Sequence, residues 1–231
     1  MPGRGGRAYN HAMAHPQASM LPVETADDTT ETTRLEAFSD GVFAIAITLL
    51  VLEIRVPEPE ALQASGTGLT RALVALWPSY IGYVLSFVTI GIMWANHHAM
   101  FQYIGRSDRG FLLCNVFFLL CISFLPFPTA VMARYLVSPG QRVAAVAFYS
   151  AVLVVIALAY NLVWWYAVRG GRLLTADCTH EGVRTITRRY SLGPVMYLLT
   201  FILAFVSVTA SLSLHGALAI LYMLPEIRRR T

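Results

Sequence analysis

Residues 34–54 read RLEAFSDGVFAIAITLLVLEI. An apolar run issues directly from a segment that holds an arginine, a glutamate, a serine and an aspartate. A helix crossing a hydrocarbon core of about 30 Å needs about 20 residues, so this stretch predicts a membrane-spanning helix with a charged mouth. The whole chain agrees with that reading. Of its 231 residues 56% are apolar and 13% charged, and its mean hydropathy is +0.58, which is far more apolar than a soluble core of this size requires.

Charged and Pro/Gly-rich breaks divide the rest into further apolar blocks. Six spans are expected, at about 35–54, 72–101, 110–135, 142–168, 191–208 and 211–225. The last two are short; at about 1.5 Å per residue the sixth reaches only about 22 Å. The fold class is therefore an all-α membrane protein with six transmembrane helices. One membrane domain, residues 34–226, is flanked by a disordered cytoplasmic tail at 1–33 and a basic cytoplasmic C-terminus at 227–231. The tail is rich in Gly, Pro, Ala, Thr and acidic residues and lacks the apolar run of a signal peptide.

Arginine supplies all 17 basic residues, and its placement sets the orientation. Short loops rich in arginine stay cytoplasmic. With six spans, thirteen arginines fall on the side of the two termini, and only Arg55, Arg71, Arg134 and Arg142 on the other. Both termini are expected in the cytoplasm of a cell-membrane protein. No basic run resembles a nucleic-acid arm. Cys114, Cys121 and Cys178 form no CxxC pair and leave an odd count, so neither a disulfide framework nor a zinc site is expected. Trp77, Trp164, Trp165 and Tyr166 lie near the ends of spans, where aromatic side chains anchor at the interface.

On a helix turning about 100° per residue, Phe38, Gly41, Ile45, Thr48, Leu49 and Leu52 fall within about 60° of one line. Asp40 lies on the opposite side with Glu36, Phe43, Ile47 and Ile54. An ionisable group within a span is costly and normally faces a partner helix. Alternating topology puts Asp40, Ser39, Trp94, His97 and Asn115 at comparable depth near the cytoplasmic face. A buried polar network of these residues is expected to tie the first three spans together, with Asp40 accepting hydrogen bonds from some of these groups or from Arg34. Glu36 and His98 are expected to face headgroups or water instead. His97 and His98 diverge by about 100° and belong to no HExxH pattern, so no metal and no cofactor is expected. On periodicity alone the stripe reads as ordinary packing, and Thr48 as a hydroxyl bonded to a backbone carbonyl one turn back.

Three segments together carry a further signal: RLEAFSDG as R-x-x-x-F-S-D, WANHH as W-x-x-H-H, and NVFFLLCISFLPFPT as an asparagine followed ten residues later by L-P-F-P-T. They resemble the transmembrane protein 175 family of potassium channels in its bacterial single-repeat form, closely over about 34–135 and only by hydropathy beyond 142. The resemblance implies a homotetramer in which the first helix of each subunit lines a central pore. It implies a constriction at Ile45, with further apolar rings at Leu49 and Leu52, and a potassium preference supported by Thr48. Those four residues belong to the stripe found from periodicity. The expected partners are potassium ions, the lipid bilayer and further copies of the chain, and the expected function is a leak-like, modestly potassium-selective conductance. A proton-conducting channel or relay through Asp40 and His97 is the alternative. Lacking a nucleophile–base pair or a metal-ligand set, the chain is not expected to be an enzyme.

Overall fold

The computed structural model describes residues 26–223, with side chains from Glu31 onward. Most of the expected tail and the whole basic C-terminus lie outside the described residues. The chain is helical in the order α1 (Ala26–Leu49), which tightens into a 3₁₀ turn at Leu50–Glu53, α2 (Pro59–Ser65), α3 (Leu69–Ala75), α4 (Trp77–Phe101), α5 (Arg109–Phe124), α6 (Pro126–Tyr135), α7 (Arg142–Val168), α8 (His180–Val206) and α9 (Val208–Met223). Among the described residues five stretches are long and apolar enough to cross a membrane: Glu31–Glu53, Trp77–Phe101, Arg109–Tyr135, Arg142–Gly171 and His180–Val206. Val208–Met223 is a shorter apolar helix.

Several boundaries differ from those expected, each for a local reason. The first helix begins at Ala26, so residues 26–33 are helical where a disordered tail was expected. Tertiary contacts hold this end, because Thr32 is buried and Ser107 donates to Glu31 at 3.1 Å. The third span is broken at Leu125 into α5 and α6. Pro126 and Pro128 lack the N–H groups that would continue the ladder, but are tolerated in the first turn of a new helix. The fifth span, α8, starts at His180, eleven residues before the expected 191, capped by Thr179, whose Oγ1 accepts from the Gly182 amide at 3.2 Å. The two short helices α2 and α3, between the first and second spans, carry no apolar periodicity long enough to be read from sequence.

Lipid tails are as apolar as leucine, so helices in a membrane associate through close packing and interhelical hydrogen bonds rather than hydrophobic burial. α7 is the central element and packs against α5, α6, α8 and α9. Ser86 on α4 is within hydrogen-bond distance of Thr129 on α6 (2.8 Å) and Tyr149 on α7 (3.1 Å). Ser150 on α7 pairs with His215 Nε2 on α9 at 2.9 Å. Trp164, expected at the interface, is instead fully buried, its Nε1 donating to Thr187 Oγ1 on α8 at 2.8 Å.

A proline within α8 shows how such bonds compensate sequence-imposed defects. Pro194 has no N–H to give the carbonyl of Tyr190 four residues earlier. Asn161 on α7 takes its place, Nδ2 donating to Tyr190 O at 3.0 Å and to Ala157 O at 2.9 Å. Asn161→Leu is expected to lower stability by about 1 kcal/mol, the cost of losing the bond to a part-buried carbonyl. Adding Pro194→Ala, which restores the helical N–H, should recover part of that loss. Thermal unfolding of the two variants in detergent checks the pair; equal loss with or without the second change would refute the compensation.

Outside the spans, the 103–108 turn is fastened to the 172–178 segment. Gly105 and Arg106 amides donate to Leu173 O at 2.9 and 3.3 Å, and the Thr175 amide donates to Tyr103 O at 3.0 Å. Asp108 caps α5, accepting from the Phe111 amide at 2.8 Å, and pairs with Arg172 at 2.7 Å. The Phe111 amide above all, then the Tyr166 hydroxyl and Arg172, holds the Asp108 carboxyl below its ordinary range. A Cβ at Gly110 would run into the Tyr166 hydroxyl, so a side chain there would have to displace that ring.

Candidate functional site

The first helix carries the residues that the sequence singles out, and its two faces meet different surroundings. Phe38, Ile45, Leu49 and Leu52 are 59, 60, 40 and 70% exposed, whereas Phe43, Ala46 and Leu50 are at 1% or less. Thr48 is exposed between them. Its hydroxyl donates to the Ile45 carbonyl at 2.9 Å. With the proton turned back onto the helix, the oxygen lone pairs are left to point outward.

The opposite face is anchored by polar contacts, in two groups rather than the single network expected. The first is buried. Ser39 donates to the Leu35 carbonyl at 2.8 Å and accepts from Asn115 Nδ2 at 3.0 Å. Asn115 Oδ1 stands 2.9 Å from His97 Nε2. Since the asparagine amide already donates to Ser39, its oxygen must accept, which places the histidine proton on Nε2. Three helices, α1, α4 and α5, are joined by this one chain of bonds. Around it His97 is enclosed by Phe43, Phe101 and Phe118, at ring-centroid distances of 5.4, 4.8 and 5.6 Å. His97 Nδ1 has no hydrogen-bond partner among the described residues.

The second group is half exposed and holds Asp40. Its Oδ1 accepts from Trp94 Nε1 at 2.9 Å, and one turn earlier Glu36 Oε1 pairs with His98 Nδ1 at 2.8 Å. Trp94 and His98 stack, with centroids 6.1 Å apart. Residues four apart lie on one face of a helix, so Glu36 and Asp40 on α1 meet Trp94 and His98 on α4 as two rungs.

Three expectations change accordingly. Asp40 accepts from Trp94, one of the groups expected, but among the described residues it does not bond His97, Asn115 or Arg34; the buried serine next to it makes the link to Asn115. Arg34 is exposed and enters neither group among the described residues. Glu36 and His98, expected to face headgroups or water separately, face each other. The pairing was legible in the matched spacing 36/40 and 94/98, but only once α1 and α4 were known to lie side by side.

Among the described residues no group of three His, Cys, Asp or Glu side chains is placed to hold a metal. The three cysteines are free.

The polar anchors and the exposed stripe lie within the part of the chain that matches a protein family. Residues 34–126 match the family described as endosomal/lysosomal potassium channel TMEM175. A relative named a potassium channel, from Chamaesiphon minutus, is 44% identical over 199 residues, covering 86% of this chain and 97% of the relative. A solved structure described as a lysosomal potassium-selective channel TMEM175 homolog from the same organism superposes with a TM-score of 0.75 at 42% identity, covering 84% of this chain and 96% of that one. The human protein named endosomal/lysosomal proton channel TMEM175 is 30% identical over 168 residues, 69% of this chain and 33% of its own length. With that extent of identity across a shared helical architecture, the chain belongs to the TMEM175 family, an ion-channel family of multi-pass membrane proteins.

Proposed function

We propose that the protein is a potassium channel of the cell membrane, built as a homotetramer of six-span subunits with both termini in the cytoplasm. Residues 34–226 form the channel domain, and α1 of each subunit lines a central pore. One observation carries the reading: α1 buries Ser39, Phe43, Ala46 and Leu50 against its own subunit and leaves Ile45, Thr48, Leu49 and Leu52 uncovered. A cyclic assembly can bring four copies of that uncovered face around one axis.

In such an assembly the rings of Ile45, Leu49 and Leu52 form the constriction. A narrow apolar passage offers an ion nothing in exchange for its water and so gates by dewetting. Thr48 supplies the selectivity. Its proton is already committed to the Ile45 carbonyl, so four hydroxyl oxygens present lone pairs to a partly dehydrated cation. The preference for potassium is modest, because one ring of hydroxyls replaces less of a hydration shell than successive rings of carbonyls. Thr48→Ala is expected to lower the potassium-to-sodium permeability ratio several-fold while conduction persists. Reversal potentials of the purified protein in planar bilayers measure it, and an unchanged ratio would remove Thr48 from the filter.

Proton conduction through Asp40 and His97 is the second reading, and the name of the human relative favours weighing it. Against a relay stand the aromatic rings closed around His97 and the bonding of Asp40 to Trp94 in a separate group. In liposomes with opposed potassium and proton gradients, the reversal potential is expected to follow potassium. One that follows pH and ignores potassium would establish the proton reading instead.

A further inference from the structure

The arginine-rich end of α8 has no part in the first helix's site. Thr187 is held by Trp164 and the Tyr190 carbonyl by Asn161, both on α7, which fixes the inward side of this segment. Taking Arg188 as reference and about 100° per residue, Arg184, Leu192, Val195, Leu199 and Ile202 all lie within about 40° of it. All six are exposed. One face of α8 therefore passes from two guanidinium groups into an unbroken apolar stripe. Beside it lies an open cavity of about 540 Å³ lined by Thr185, Arg188, Arg189, Ser191, Leu192 and Val195, polar at one end and apolar at the other. The Thr185 and Ser191 hydroxyls donate back to the Glu181 and Thr187 carbonyls at 3.0 and 2.8 Å, so cationic donation in the cavity comes from arginine. Glu181, on the same face, stands a turn beyond Arg184 and farther from the apolar stripe.

We infer that this face is a binding site for an anionic phospholipid. The headgroup phosphate is held by Arg188 and Arg184, and an acyl chain lies along Leu192, Val195 and Leu199. The order of the chemistry carries the assignment. A basic group at the boundary of a span attracts anionic headgroups, and the stripe directly below it stands at the depth of the acyl chains. A soluble anion would use the arginines and leave the stripe unused; a zwitterionic lipid would use the stripe and gain little from the charge.

Native mass spectrometry of the full-length protein, titrated with phosphatidylglycerol or phosphatidylcholine, tests this site. The wild type is expected to retain phosphatidylglycerol preferentially. At about 1 kcal/mol per arginine near the bilayer surface, Arg184→Gln with Arg188→Gln should weaken that binding by about thirtyfold and leave phosphatidylcholine binding and subunit count unchanged. Arg188→Gln alone, read in the same assay, keeps the test open if the double variant does not fold. Equal retention of both lipids by the wild type, undiminished binding by the variants, full displacement by inorganic phosphate, or a changed subunit count would each overturn the assignment. The last would make this face a contact between copies of the chain.

Discussion

Ile45→Asn is expected to give the largest functional change, a rise in single-channel conductance or open probability of severalfold or more. Ile45 is 60% exposed on a helix that turns Phe43, Ala46 and Leu50 inward instead, so the substitution does little to the subunit's own core. Its effect falls on whatever occupies the space in front of the stripe. If four copies meet around an axis, four amides wet a passage that isoleucine keeps dry, and the barrier to ion entry falls. Single-channel recording of the purified variant measures this, with Leu49→Asn as a second ring that should act in the same direction. Unchanged current in both would show that α1 does not line the pore.

Asn115→Leu is expected to have the largest effect on stability. The asparagine makes two bonds at once, donating to Ser39 on α1 and accepting from His97 on α4. A leucine of similar volume fills the space but leaves His97 Nε2 unpaired inside its ring of phenylalanines, where no water can replace the lost bond. A buried donor stripped of its partner costs about 1–3 kcal/mol, and the lost bond to Ser39 adds about 1 kcal/mol. The loss should appear as a lower melting temperature in detergent and as dissociation of α1 from the rest of the subunit. Asp40→Asn, which retains an oxygen to accept from Trp94 at the half-exposed rung, should cost much less. Equal losses would mean that the outer rung, rather than the buried chain, fixes α1.

The two outcomes separate the roles of the faces. A stripe variant should change current without unfolding the subunit, and an anchor variant should do the reverse.

Much of the fold is legible in residues alone. Long apolar runs between charged breaks must become helices in a bilayer, since only internal hydrogen bonding satisfies a backbone there. That Ile45, Thr48, Leu49 and Leu52 share one side was likewise legible from helical periodicity, but periodicity alone reads such a stripe as ordinary packing, and its exposure on the subunit came from the structure. What sequence left open were contacts between helices. Periodicity places Ser39 and Asp40 100° apart on α1 but cannot say which of them meets Asn115. The structure gives that bond to Ser39 and gives Asp40 to Trp94. Nor could it foresee that Trp164 is buried against Thr187 rather than anchored at an interface, or that Asn161 completes the ladder that Pro194 interrupts. Helical character and the identity of each face follow from chemistry local to one segment. The pairing of faces depends on the side-by-side packing of α1, α4, α5, α7 and α8, which only the tertiary structure decides.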